Sequence, residues 1–162
     1  MIVSAKPRPL PRDFENLEFE TLEENWNRYE LKNHTVVRGR VIVTRFAKDS
    51  HDPTPNAYAL SSQNVFVVDA PVEQRGEPTL TPLTPDQIKN PKGTPVNIVN
   101  SNEVWNRYRI LSTGVVLKVK LIVQDAMRLT PDRFDSDGMP QYLFRSSPMV
   151  VPDRFENTNL KT

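Results

Sequence analysis

Two pairs of basic side chains are the residues of this chain whose type and spacing are best suited to chemistry. Arg38 and Arg40 alternate with apolar residues in one segment, and Lys118 and Lys120 do so in another. Residues two apart in a β-strand point to the same face of the sheet, so each pair would form a short basic strip. Basic strips bind phosphate groups, and adjacent aromatic rings stack on bases. The pattern predicts a surface for nucleic acid or another anion, although a solvated sheet face would show the same alternation.

The tetrapeptide Trp-Asn-Arg-Tyr, which occurs at 26–29 and again at 105–108, is the second candidate for chemistry. Its aromatic and basic members are Trp26, Arg28, Tyr29, Trp105, Arg107 and Tyr108. As a binding motif, the rings would stack on bases or sugars, and the guanidinium groups would hold phosphate or carboxylate. As a packing motif, the tryptophans would anchor the core or the contact between repeats, the asparagines would form turns, and each arginine stem would lie over its tryptophan. Repetition favours packing, because both copies of a repeated unit must solve the same packing problem.

Catalytic and metal-binding patterns are weak in this sequence. Ser50, His51 and Asp52 are the residue types of a catalytic triad, but a triad depends on spatial arrangement, which adjacent residues do not provide. The chain has two His and no Cys, which leaves few ligands for a zinc site. The acidic residues before Gly138 lack the closing Glu of a calcium loop, and a hairpin turn from Ser136 to Gly138 explains them. We therefore predict no catalytic residue, no metal site and no cofactor.

Charge and hydropathy narrow the functional class. A net charge of +1 does not favour general attraction to nucleic acid or to acidic membranes. Mean hydropathy is −0.54, and the sequence shows neither a long apolar run nor a secretory signal. These features predict a soluble cytoplasmic protein without a membrane partner. The first twelve residues carry basic but no acidic side chains, which fits a solvated terminus better than a partner-binding arm.

The two tetrapeptides belong to longer segments that match. An offset of 79 aligns the tetrapeptides, and an offset of 80 aligns the two basic pairs. An offset of 85 aligns Ser61-Ser62 with Ser146-Ser147 and Val65 with Val150. We predict an internal duplication, with repeats that share a core because a unit of about 50 residues buries too little surface alone. The predicted segments are an N-terminal arm (1–20), a first β repeat (21–70), a proline-rich connection (71–99), a second β repeat (100–152) and a C-terminal tail (153–162).

Each repeat has the period-two alternation of about four short strands. Polar links at 32–35 and 111–114 predict tight hairpins, and the paired serines predict bends between strands. Thr84 and Pro85 predict the start of a short helix within the connection. The segment 21–24 has the pattern of a capping box, which predicts a helical turn before the first tetrapeptide.

These elements predict an all-β, mainly antiparallel fold made of two pseudo-symmetric halves. Each half would be a small β-barrel or a sandwich-like unit, with at most one or two short helices in the whole chain.

The functional hypothesis is a non-enzymatic structural or protein-interaction module. Its strand faces and edges would bind a protein partner or another copy of the chain, in an oligomer or a larger assembly. The alternative is binding of RNA or single-stranded nucleic acid through the basic strand faces. A second alternative is a small-ligand protein or an enzyme with a cleft between the repeats.

Overall fold

The fold is mainly antiparallel β, as the sequence predicts, and the computed structural model describes residues 3–4, 14–49 and 58–153. The strands are β1 (Val3–Ser4), β2 (Phe14–Leu17), β3 (Phe19–Glu23), β4 (Asn27–Leu31), β5 (Val36–Asp49), β6 (Tyr58–Asp69), β7 (Gly93–Val96), β8 (Ile98–Asn102), β9 (Asn106–Ile110), β10 (Val116–Leu129) and β11 (Tyr142–Pro152). A 3₁₀ turn at Val72–Gln74 and a five-residue helix, α1 (Pro85–Lys89), lie between β6 and β7.

The strands form two sheets around two long central strands. Sheet A has the order β1-β11-β10-β9-β3, and β7 also pairs with β10. Sheet B has the order β2-β5-β4-β8, and β6 also pairs with β5. The central strands β5 and β10 have 14 residues each. Their length lets each one pair with two short strands in succession on one side and with a single long strand on the other.

The strands of the two sheets have matching bounds. At the offset of 79, the bounds of β2, β3 and β4 coincide with those of β7, β8 and β9, and at the offset of 80 the bounds of β5 coincide with those of β10. The ladders match as well, because each central strand has an irregularity at the same place, between Val43 and Arg45 in β5 and between Val123 and Asp125 in β10. A bulge bends a strand and increases its twist, so both central strands bend near their middle.

Each sheet is completed by a strand from the other half of the chain. β3 precedes β4 in sequence but pairs with β9 in sheet A, where Thr21 faces Tyr108. β8 precedes β9 in sequence but pairs with β4 in sheet B, where Ser101 faces Tyr29. The two halves of the chain are therefore connected by backbone hydrogen bonds as well as by side-chain packing.

Two hydrophobic clusters form the core, and both draw on the two sheets. The larger cluster joins Phe46 and Leu60 of sheet B to Tyr108 and Leu121 of sheet A, among others. The rings of Phe46 and Tyr108 meet edge to face, with centroids 5.5 Å apart. The buried members of the smaller cluster are Tyr29, Leu31, Val37 and Ala126. Neither cluster belongs to one sheet alone.

The turns that join the strands confirm several local predictions. The hairpins predicted at 32–35 and 111–114 connect β4 to β5 and β9 to β10. His34, with φ of 67°, and Gly114, with φ of 73°, take the left-handed positions of these turns. Helix α1 begins at Pro85, and the hydroxyl of Thr84 accepts a hydrogen bond from the backbone N–H of Gln87. The predicted turn before Gly138 is also present, with φ of 79° at that glycine.

Other local predictions are wrong. The paired serines lie within the continuous strands β6 and β11, beside the bulges of β5 and β10, and not in bends between strands. The capping-box pattern at 21–24 forms part of β3 through Glu23, because pairing with β9 overrides a weak local helix signal. The division of the chain into segments stays a prediction; its first segment, 1–20, contains β1, β2 and the start of β3, and the connection, 71–99, contains β7 and the start of β8.

The observed strand pairing also changes the offset at which β6 matches β11. Val43 faces Ser62, and Val123 faces Ser146. When β5 and β10 are aligned at their offset of 80, Ser62 in β6 occupies the position that Ser146 has in β11. The offset between β6 and β11 is therefore 84 and not the predicted 85. A slip of one residue exchanges the two faces of a strand, so this revision decides which side chains point outward.

Candidate functional site

The tyrosines of the repeated tetrapeptide are interior residues. Tyr29 is 1% exposed and Tyr108 is 0% exposed. The hydroxyl of Tyr29 donates a hydrogen bond to Glu103 over 2.8 Å, and the hydroxyl of Tyr108 donates one to Glu24 over 3.0 Å. The prediction that these rings stack on bases or sugars is wrong, because the protein itself encloses both of them.

The two tyrosine hydroxyls are held in the neutral form. Burial raises the pKa of Tyr29, and its hydrogen bond to Glu103 raises the pKa further. Burial likewise raises the pKa of Tyr108, together with the negative charge of Glu24. A neutral phenol donates to a carboxylate, whereas a phenolate would repel it. In each pair the tyrosine comes from one half of the chain and the carboxylate from the other, so both pairs join the halves.

The asparagines of the tetrapeptide cap backbone groups across the same junction. The backbone N–H of Val104 donates to Oδ1 of Asn27 over 2.8 Å, and the backbone N–H of Asn25 donates to Oδ1 of Asn106 over 2.8 Å. Asn27 also donates through Nδ2 to the carbonyl of Leu121 over 2.9 Å. Both asparagines are buried, at 2% and 1% exposure. The prediction that they form turns is wrong, since each lies in a strand and bonds to the opposite half.

The two basic strips lie against the tryptophans, as two similar clusters. In the Trp26 cluster, the guanidinium carbons of Arg38 and Arg40 lie 5.2 and 5.7 Å from the centroid of the Trp26 ring. The ring of Trp105 is flanked in the same way. In the Trp105 cluster, the Nζ atoms of Lys118 and Lys120 lie 4.9 and 4.5 Å from the ring centroid of Trp105. Cations at such distances are attracted by the electron-rich ring face.

These clusters bring together residues that the sequence singled out separately. Trp26 is 37% exposed and Trp105 is half-buried, so both clusters reach the surface. The sequence predicted that the arginine of each tetrapeptide would cover the tryptophan. Instead, the covering cations come from the neighbouring central strand, where Arg38 faces Arg28 and Lys118 faces Arg107.

Carboxylates reduce the positive charge of these surfaces. Arg40 forms an ion pair with Glu24 over 2.9 Å, and the same carboxylate accepts from Tyr108. The guanidinium of Arg28 pairs with Glu30, which lowers the pKa of Glu30 through a hydrogen bond and the nearby positive charge. Arg107 pairs with Asp153 over 3.2 Å. All four cations of the basic strips thus contact a tryptophan ring, and Arg40 also pairs with a carboxylate.

Sequence reasoning missed the two glutamates that complete these networks. Glu24 and Glu103 each stand two residues before the tryptophan of a tetrapeptide. The matching sequence is therefore longer than the tetrapeptide and includes an acidic residue two positions before it. Their common offset of 79 is a signal that could have identified them as partners of a repeated interior group.

Among the described strands, β6 is the longest that pairs with a neighbouring strand on one side only. In the part of the chain that the structure describes, β6 pairs only with β5, over 12 residues from Tyr58 to Asp69. Its counterpart β11 pairs with β10 on one side and with β1 on the other, where Val3 faces Val150 and Ser4 faces Met149. The edge of β11 is thus partly covered, and the edge of β6 is not covered by any other described strand.

Two surface grooves adjoin these elements. One, of about 610 Å³, runs beside the C-terminal half of β6 and is lined by Phe66, Asp69, Asp137 and Tyr142, among others. The other, of about 520 Å³, lies between α1 and the end of β10. The charged residues that line it are Asp86, Lys92 and Arg133.

The described residues contain neither a cluster of potential metal ligands nor a helix that could span a membrane. No group of three or more His, Cys, Asp or Glu side chains in that part of the chain is arranged to hold a metal ion. None of the helices in the ranges that the structure covers has the length and apolar character needed to cross a bilayer. Ser50, His51 and Asp52 lie outside the described residues.

Comparisons with known proteins leave the chain without a relative from which a function could be transferred. No family model, no curated protein and no solved structure matches it. Its function must therefore be inferred from the surfaces and contacts described above.

Proposed function

We propose that the protein is a non-enzymatic structural or interaction module that acts by adding a strand of a partner to the edge of β6. The observation that carries this proposal is the length and composition of that edge. From Tyr58 to Val68 the strand contains no charged residue and no proline. Natural proteins protect exposed edges with charges, prolines or very short strands, because an open edge offers backbone hydrogen bonds to any extended chain.

Other edge strands of the described residues carry the protection that β6 lacks. β2 contains Glu15, β3 contains Glu20 and Glu23, and β7 contains Pro95. These strands and β8 have four or five residues each, against 12 in β6. A long edge without such protection is typical of strand addition, in which main-chain hydrogen bonds supply affinity and alternate side chains supply specificity.

The interior role of the tetrapeptide supports a structural module over an enzyme. Its tyrosines and asparagines are buried and bonded to groups of the opposite half. A rigid junction of this kind holds the two sheets in a constant relation and leaves few polar groups for chemistry. The β6 edge would thereby keep a constant position relative to the rest of the protein.

We propose that the two halves of the chain arose by internal duplication, and that the two pseudo-symmetric halves exchange a strand. The matching strand bounds, the shared position of the bulges and the reciprocal bonds of Asn27 and Asn106 support it. In this view the molecule has two small barrel-like units, each built around a core that the start of one central strand shares with the end of the other.

Affinity purification and light scattering test the proposed function. Tagged wild-type protein, the variant Val65→Lys and the matched control Val99→Lys would be purified gently from native lysate. Both valines are exposed, at 39% and 61%, but only Val65 lies in β6. We expect the wild type and the control to form a stable complex of defined stoichiometry, or a homo-oligomer, and Val65→Lys to lose it. A monodisperse monomer that retrieves no protein contradicts the proposal.

Binding of single-stranded nucleic acid is the second candidate, favoured by the two tryptophan clusters at the surface. An aromatic ring beside cations is the usual element of such sites. Electrostatic binding predicts that affinity for a fluorescent oligonucleotide falls steeply with salt. Replacing the four cluster cations by Ser should abolish binding, while replacing the exposed Lys32 and Lys89 by Ser should not. Unchanged affinity in the fourfold variant removes this candidate.

A further inference from the structure

The edges of β6 and β11 differ although the strands occupy matching places. Arg40 faces Val65 on one side of the molecule, and Lys120 faces Met149 on the other. Since Arg40 corresponds to Lys120 at the offset of 80, Val65 and Phe66 take the places of Met149 and Val150. These last two residues face Ser4 and Val3 of β1. One half therefore holds an added strand at a position that remains open, among the described residues, in the other half.

We propose that the partner at the open edge is a second copy of this chain, with the two β6 strands pairing antiparallel across a twofold axis. This inference rests on the proposed function, and it names the partner and the geometry. An interface of this kind is isologous, because the same strand serves both copies. The pairing joins the two copies of sheet B into one continuous sheet.

The absence of charged residues from Tyr58 to Val68 favours pairing of β6 with a second copy of itself. In an antiparallel ladder centred on Asn64, Gln63 faces Val65 of the other copy, and Ala59 faces Asp69. Like charges directly opposite each other destabilise a sheet, and this register places none in that position. The same pairing through β3 would bring the carboxylates of Glu20 and Glu23 into a short ladder. Self-association through β6 is thus free of the repulsion that the same pairing through β3 would impose.

The side chains on the outward face of β6 are also compatible with pairing of two identical strands, because none of them is charged from Ser61 to Val67. Val65 is 39% exposed, and Ile42, which lies on the neighbouring central strand, is also 39% exposed. Val67 faces Arg38 on that strand and is half-buried. A second β6 would extend this surface with Gln63 and Ser61, whose side chains are uncharged. A groove of about 610 Å³ lies between this half of β6 and the segment 135–144.

The oligomeric state of the purified full chain is the first test. Light scattering across a dilution series should give twice the monomer mass of 18.6 kDa for the wild type and for Val99→Lys. Val65→Lys should halve that mass, because it places two ammonium groups near the twofold axis. Circular dichroism would confirm that all three proteins are folded. A wild type that stays monomeric, or a dimer that Val65→Lys leaves intact, overturns the inference.

Disulfide trapping tests the register, because the chain contains no Cys. Facing residues of an antiparallel pair have Cα atoms about 4.5–5.5 Å apart, within the range that a disulfide spans. We expect Asn64→Cys to form a covalent dimer under mild oxidation, and Val99→Cys to remain monomeric on a denaturing gel. Equal cross-linking of the two variants contradicts the proposed geometry.

The two proposals fail in distinguishable ways. A monomeric wild type that retrieves a different protein through β6, with loss of that complex in Val65→Lys, overturns the second-copy inference and retains the proposed function. A monomeric wild type that retrieves nothing overturns both. A complex that contains nucleic acid and is unaffected by Val65→Lys overturns both β6 proposals and supports nucleic-acid binding at the tryptophan clusters.

Discussion

The junction between the halves and the outer surface of the two sheets differ in how closely the halves match. At the junction, hydrogen bonds in one half have counterparts in the other, as with those that Asn27 and Asn106 accept and those that Tyr29 and Tyr108 donate. At the surface, one cluster uses arginines and the other uses lysines, and only one of the two long outer strands is covered by β1. The two halves thus make matching contacts where they meet, and they differ in the residues that they present on the outer surface.

Separating the halves should have the largest effect. Fragments 1–75 and 90–162 would each lack the strand that completes their own sheet, and each would lose partners in both hydrophobic clusters. We expect neither fragment to fold alone and an equimolar mixture to recover native structure, measured by circular dichroism and by the dispersion of amide resonances. Independent folding of either fragment would show that the junction is dispensable.

Removing one junction asparagine should destabilise the protein by a similar amount in either half. Asn27→Ala leaves the N–H of Val104 without its acceptor, and Asn106→Ala does the same to Asn25. A buried polar group without a partner costs about 1–3 kcal/mol, so urea unfolding should show two losses of that size. Asn102→Ala, at an exposed position, is the control and should change stability by less than about 0.5 kcal/mol. Clearly unequal losses at Asn27 and Asn106 would contradict the matched roles.

The two tryptophan clusters should respond unequally to the same change. Arg40→Met removes a cation from the Trp26 ring and also leaves the carboxylate of Glu24, which is 14% exposed, without its ion pair. We expect a loss of about 1.5–3 kcal/mol, the range for hydrogen bonds to charged groups. Lys120→Met removes the corresponding cation from Trp105 and should cost about 0.5–1 kcal/mol. Thermal unfolding at matched ionic strength measures both, and equal losses would place the ion pair of Arg40 in doubt.

Alkaline pH should weaken both halves together. The folded pKa values of Tyr29 and Tyr108 lie above the ordinary value of about 10. The contribution of the two tyrosines to the unfolding free energy is therefore complete below about pH 10. It is lost as the pH rises from about 10 toward the pKa values of the folded protein. Each tyrosine should reduce the unfolding free energy by about 1.4 kcal/mol per pH unit in that window.

Urea titrations above pH 10 measure this slope. Tyr29→Phe should lower the slope by about the share of one tyrosine, since a phenylalanine cannot ionise. The double variant with Tyr108→Phe should lower it by twice as much. A slope that is the same in all three proteins would mean that neither hydroxyl is responsible.

Alternating sequence patterns were sufficient to predict the strands that are half-buried. In β4, Asn27, Tyr29 and Leu31 are buried while Arg28 is exposed, which is the period that the sequence shows. β3 and β8 were not predicted, because almost all of their residues are exposed and the apolar alternation is absent. Their exchange between sheets depends on pairing with distant strands, which no local pattern records.

The candidate site was predictable in its residues and less so in its geometry. The alternation of Arg38 and Arg40 correctly placed them on one strand face, and their contact with Trp26 arises only when β5 lies beside the tetrapeptide. The burial of Tyr29 could have been inferred from its two-residue spacing to Leu31. The open edge of β6 follows from the order of strands in a sheet, and that order is a property of the whole fold.

The exchange of β3 and β8 also constrains when the protein can fold during synthesis. Translation delivers β4 and β5 well before β8, whose last residue is Asn102, so the outer side of β4 waits for its partner until that residue has left the ribosome. Val3 must wait still longer, for Val150. Contacts so distant along the chain are slow to form. A nascent chain of this protein therefore carries unpaired strands for most of its synthesis, and it is during this interval that chaperones would have the most reason to bind it.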